Sequence, residues 1–121
     1  MKYVLMFTSR PDLATDPDPE AAQELYKRVY EWFGENAGVI AEGGAELLGI
    51  ETATTVKHGE DGPLVVDGPF NEAKEVVGGF TVLEVADMDQ AIAVTRTWPM
   101  LEQPGVAVEI RPMVEDYSQF E

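Results

Sequence analysis

The residue that most invites a chemical reading is Asp67, within Leu64-Val65-Val66-Asp67-Gly68-Pro69-Phe70. Three apolar residues precede it, so its carboxylate is expected at a strand end. An exposed acid there can act as a general base. The structural alternative is a turn, Asp67-Gly68-Pro69, whose carboxylate accepts local main-chain hydrogens. Lys74, a few residues on, joins it as a candidate ligand-binding residue; the plain reading of Glu72, Lys74 and Glu75 is a solvated helical turn with paired charges. Near the C-terminus Val106, Val108 and Ile110 alternate with Ala107, Glu109 and Arg111. Burying the first set commits Glu109 and Arg111 to the opposite face. The planar Arg111 fork can grip a ligand carboxylate, or it can pair with Glu109 or an acid of a second chain.

Other chemistries lack the residues they need. His58 is the single histidine and there is no cysteine, so no transition-metal site is expected. Gly78-Gly79 reads as a bulge or a close approach of backbones. No G-x-G-x-x-G or Walker pattern occurs, and no cofactor is expected.

The elements that must position these residues follow from periodicity. Residues 2–8, Lys-Tyr-Val-Leu-Met-Phe-Thr, form an apolar run biased toward a buried strand. Asp18, Pro19 and Glu20 are a helix start, and Ala22, Leu25, Tyr26, Val29, Trp32 and Phe33 recur at helical spacing over 19–36, with Gly38 closing the helix. A short strand near 39–42 precedes Gly43-Gly44. The segment 52–70 reads as a hairpin turning at Gly59-Glu60-Asp61-Gly62. Residues 79–86 are the next strand. Asp87 then caps a helix, Gln90 completes a capping box, and Met88, Ala91, Ile92, Thr95 and Trp98 share one face. Pro99 ends that helix, and Val106–Pro112 is the last strand.

The order β-α-β, hairpin, β-α-β predicts a ferredoxin-like α+β domain over 1–112, with two helices on one face of an antiparallel sheet. Residues 113–121 form a C-terminal tail, either loose or docked as an arm. Such a sheet ordinarily turns a polar face to water. Here Tyr3, Leu5 and Phe7 alternate with Val4 and Met6, and Phe80 and Val82 with Leu83 and Val85, so both faces are apolar. A second copy packed sheet to sheet is the simplest cover, and a homodimer is expected.

Composition narrows the partners. The 121 residues are 45% hydrophobic and carry 8 Lys and Arg against 23 Asp and Glu, a formal charge of −15. A phosphate backbone or anionic lipid would meet no basic patch, so neither nucleic acid nor membrane is an expected partner. No apolar run reaches the length of a membrane span, and the first residues lack a signal cleavage pattern. A cytoplasmic location is expected.

Asp67-Gly68-Pro69-Phe70, the opening 1–7, the continuous stretch 53–94 and Val108–Pro112 together carry a likeness. The chain resembles the YCII-related family, in its Asp-Gly-Pro-Phe branch, over most of residues 1–112. The resemblance implies a dimeric ferredoxin-like α+β barrel. Most such proteins are bacterial and have no assigned activity, some are linked to extracytoplasmic sigma factors, and a few distant ones act on cyclic or aromatic compounds. Enzymatic relatives place a His-Asp pair in a cavity, with the His on the first helix. Residues 19–36 contain no His, which weakens any carry-over of acid–base catalysis. Two readings remain open. One is a homodimer binding a small organic molecule in its cleft, with Asp67, Lys74, Glu109 and Arg111 as candidates and an enzymatic role in view. The other is a non-catalytic interaction or regulatory module.

Overall fold

The computed structural model describes residues 1–68 and 75–120. In chain order its main elements are β1 (Lys2–Ser9), α1 (Pro19–Glu35), β2 (Ile40–Glu46), β3 (Thr54–Lys57), β4 (Leu64–Asp67), β5 (Val76–Glu84), α2 (Met88–Thr95) and β6 (Ala107–Pro112). Pro69, Phe70 and Lys74 lie outside the described residues.

β1 is central. It pairs antiparallel with β5 on one side and β6 on the other, and β2 adds to the far edge of β5, giving the order β2-β5-β1-β6. This is the ferredoxin-like arrangement expected from the sequence. The β3–β4 hairpin forms a separate two-stranded sheet, with Thr54 opposite Asp67 and Lys57 opposite Leu64. Its loop carries Gly62 at a φ of +123°, a left-handed conformation that glycine reaches without a Cβ clash.

Register assigns the faces. Tyr3 lies opposite Leu83, and Leu5 opposite both Thr81 and Ile110. These residues turn toward the helices and join Trp32, Val85, Ala91 and Trp98 in the core. Leu5 and Leu83 are fully enclosed, and each such side chain contributes about 1.5–3 kcal/mol relative to an exposed one. On the other face Val4 lies between Val82 and Arg111, and Met6 between Phe80 and Glu109. The predicted two-sided apolar sheet is therefore present: on this second face Val82 is buried and Val4 and Met6 are half-buried.

The helices begin where their caps predict. The Asp18 carboxylate accepts from the Ala21 N–H at 2.8 Å, and Asp87 accepts from Gln90 N–H at 2.9 Å. The Gln90 amide oxygen reaches back to the N–H of Ala86, one residue before the cap. The helices are joined where the Trp32 indole N–H donates to Thr97 Oγ1 at 2.7 Å, while that hydroxyl donates to the Val94 carbonyl. Trp98 stacks on Phe7 with centroids 4.3 Å apart and meets Trp32 edge-on at 5.0 Å.

Three boundaries differ from the sequence reading, the first being α2, which ends at Thr95 rather than running through Trp98 to Pro99. β2 does not stop at residue 42. Its ladder is interrupted after Ala41 and resumes at Ala45 and Glu46, because Gly43, at φ +96°, accommodates a bulge instead of ending the strand. β5 starts at Val76 rather than at 79, and Gly78 is bypassed where Phe7 faces Gly79 while Thr8 faces Val77. The tail docks at the beginning of β1: Met113 N–H donates to the Lys2 carbonyl, and Lys2 N–H to Glu115 Oε1. Among the described residues no helix is long and apolar enough to cross a membrane.

Candidate functional site

The two bulges fall at the same end of the sheet, and there the helices and strands part. The result is a cavity of about 590 Å³, within the roughly 300–1,000 Å³ typical of small-molecule sites. Gly43, Gly44, Gly78 and Gly79 form one wall, and with no side chains to project they leave the volume unfilled. The glycines are also required by contact. A Cβ on Gly44 would stand 2.8 Å from the Phe80 carbonyl oxygen, and one on Gly79 would stand 2.8 Å from that of Ala45. Backbones of β2 and β5 thus meet too closely for any other residue.

α1 supplies the opposite wall through Tyr26, Val29 and Phe33, while Phe7, Trp98, Met100 and Val106 close the sides. Aromatic rings dominate, and Phe33 meets Trp98 edge-on at 5.7 Å. Helical spacing placed Tyr26 with the buried face, but it is 66% exposed. Its part of the helix overhangs the cavity instead of packing on side chains. Tyr30 is fully outside the core as well.

Polar groups in the lining are few. Thr81 is 4% exposed and faces the helices from β5, opposite Leu5. Among the described residues its hydroxyl has no hydrogen-bond partner, and no fully enclosed side-chain oxygen is left unsatisfied. The Thr81 Oγ1 therefore opens on the cavity. Thr8 Oγ1, by contrast, donates to the Ala107 carbonyl at 3.2 Å. Among the described residues Glu46 is the one charged side chain of the lining, and it is exposed.

The structure brings none of the described sequence candidates to this cavity. Asp67 ends β4, exposed, on the separate hairpin. The turn there is held through its neighbours: Gly68 N–H donates to the Ala53 carbonyl at 2.8 Å, and Thr55 Oγ1 donates to the Gly68 carbonyl at 2.6 Å. Glu109 and Arg111 lie exposed on the second sheet face, flanked by Met6 and Val4. Among the described residues the ion pairs are Arg10–Asp12 and Arg28–Glu102, so Arg111 and Glu109 are not paired with each other. Among them, too, no cluster of three His, Cys, Asp or Glu could hold a metal ion. Sequence reasoning missed the cavity, although the two Gly-Gly pairs were its signal. In the sequence Gly78-Gly79 reads as a bulge or close approach and Gly43-Gly44 as the end of a strand, and neither reading shows that both open at one end of the sheet.

A second hollow of about 440 Å³ lies between α1 and the turn Pro99–Glu102. There Arg28 closes on Glu102 as a fork, at 2.7 and 2.6 Å. Arg28 and Glu102 are thus engaged with each other, while Glu31, Glu35 and Arg96 of the same hollow join no ion pair among the described residues.

Residues 1–114 match the YCII-related domain. The chain belongs to the YCII-related family. An uncharacterised protein of Rhizobium meliloti (strain 1021) is 32% identical to this YCII-related chain over 69 residues, which span 57% of the chain and 56% of that protein. The match thus spans little more than half of that relative. Among solved structures, the chain is similar to the 5-chloro-2-hydroxyhydroquinone dehydrochlorinase TftG of Burkholderia phenoliruptrix AC1100, in complex with 2,5-dihydroxybenzoquinone. The TM-score is 0.56 at 14% identity, over 96% of each chain. That likeness establishes the shared fold.

Proposed function

We propose that this YCII-related protein binds a small ring compound in the cavity between α1 and the bulged ends of β2 and β5. The observation that carries the reading is the cavity itself: about 590 Å³, with walls of glycine backbone and the rings of Phe7, Phe33 and Trp98. Ligand sites typically combine an apolar lining with a few placed polar groups. The TftG complex supports the class of ligand, because a protein of this fold there holds a substituted six-membered ring. Whether a reaction follows depends on groups brought to the mouth, where Tyr26 and Glu46 are the described titratable side chains. The test is calorimetric titration with small aromatic compounds against wild type and Val29→Trp. Binding to wild type that disappears in the filled variant, with the fold retained, supports the proposal. Equal binding to both, or binding to neither, contradicts it.

The active unit in this reading is a homodimer. Val4, Met6 and Phe80 form a partly exposed apolar band on the second sheet face, beside the buried Val82 and edged by Glu109 and Arg111. A second copy would bury that band and bring the two charged residues into the interface. A non-catalytic interaction module has one observation in its favour, the β3–β4 hairpin, where Val56, Leu64 and Val65 are exposed. A chain that captures a protein partner through this hairpin while its cavity stays empty of ring compounds would fit that second reading.

A further inference from the structure

Thr81, a buried residue whose hydroxyl has no hydrogen-bond partner among the described residues, lines the proposed ligand cavity, and it constrains what can sit there. Thr81 is 4% exposed, and among the described residues nothing bonds to its Oγ1. No fully enclosed side-chain oxygen is left unsatisfied among the described residues, so this hydroxyl keeps some accessible surface, and a ligand atom within reach would take the place of solvent as its partner. The surroundings decide the charge of that atom's owner. Among the described residues the lining holds no lysine, arginine or histidine to neutralise an anion, only neutral donors such as the Trp98 indole N–H, its one charge is the Glu46 carboxylate, and the whole chain carries −15. A carboxylate entering this space would be desolvated without a counter-charge.

We infer that Thr81 selects uncharged ring compounds bearing a hydroxyl or carbonyl, and that the cavity discriminates against ring carboxylates. The inference rests on the proposed binding role of the cavity and assigns its specificity. It concerns a different place from the dimer cleft in which Arg111 was expected to hold small organic acids, because Arg111 stands on the other sheet face. Thr81 is a positioning residue here, fixing the orientation of the ring through a single polar contact.

The experiment titrates three probes of similar size, phenol, toluene and benzoate, into the full-length protein and into Thr81→Val and Thr81→Ser. Wild type is expected to bind phenol more tightly than toluene by about three- to tenfold, the worth of one net hydrogen bond, with benzoate weakest. Thr81→Val keeps the branched shape of the side chain and should reduce phenol to the level of toluene without altering toluene binding. Its melting temperature should be unchanged or higher, since no protein bond is lost. Thr81→Ser should keep the preference for phenol. Phenol affinity unaffected by Thr81→Val, a preference lost in Thr81→Ser, or benzoate binding as tightly as phenol would each overturn the inference while leaving the cavity a binding site. Failure of all three probes to bind would overturn the binding role itself together with the inference.

Discussion

A Cβ at position 44 would collide with backbone, whereas one at position 34 would meet nothing within 4 Å. The two glycines therefore predict opposite outcomes. Gly44→Ala should lower stability by about 1–3 kcal/mol, the usual cost of forcing an atom into a packed site. Gly34→Ala, inside α1, should raise it by about 0.5–1 kcal/mol through the lower conformational entropy of the unfolded chain and better helix propensity. Urea denaturation reads both, and the same sign for the two variants would contradict the assigned wall of the cavity. Asp67 illustrates the limit of a residue-level reading. Its type and its place at a strand end were legible, but a carboxylate becomes a site only when other groups converge on it. The hairpin that carries it forms its own sheet.

At the scale of elements, the helices depend on each other through Trp32 and Thr97. Thr97→Val removes the acceptor of a part-buried indole N–H and should cost about 1–2 kcal/mol. A near-neutral result would show that water replaces the hydroxyl there. The Arg28–Glu102 fork ties α1 to the turn after α2, and hydrogen bonding from Arg28 holds the Glu102 carboxyl below the ordinary glutamate range. A depressed folded pKa gives stabilisation that is present above the unfolded value and lost as pH falls through the folded one. Wild type should therefore lose this component only on the acid side, and Glu102→Gln should lack it when melting is followed from neutral to acid pH. The pair is exposed, so salt should weaken the effect. Most of these elements were legible in the sequence. Alternation located β1, β5 and β6, and Asp18 and Asp87 marked both helix starts, because caps and periodicity are local properties. The continuation of β2 past Gly43-Gly44 was not, since only pairing with β5 shows that the glycines bend the strand without ending it. The cavity escaped for a related reason: it is made by absent side chains brought together from β2 and β5.

For the whole molecule, the formal charge of −15 makes self-repulsion a general burden on the folded state. Melting temperature should rise as sodium chloride screens it, and insensitivity to salt would show that the acids are already compensated. Dimerisation through the sheet faces is expected to bury more than ~1,200 Å² in total, and Met6→Lys should break it. Light scattering at micromolar concentration should show a particle of twice the 13.3 kDa chain mass, falling to the single mass in the variant; a monomer in wild type would contradict the proposed assembly. The most direct test of the central claim is two-dimensional amide NMR of the ¹⁵N-labelled protein titrated with phenol. The account predicts saturable shifts concentrated at Gly44, Gly79, Thr81 and the Trp98 indole, the groups that border the cavity. Shifts confined to Val4, Met6 and Arg111 on the opposite sheet face, or no saturable shift at all, would contradict it.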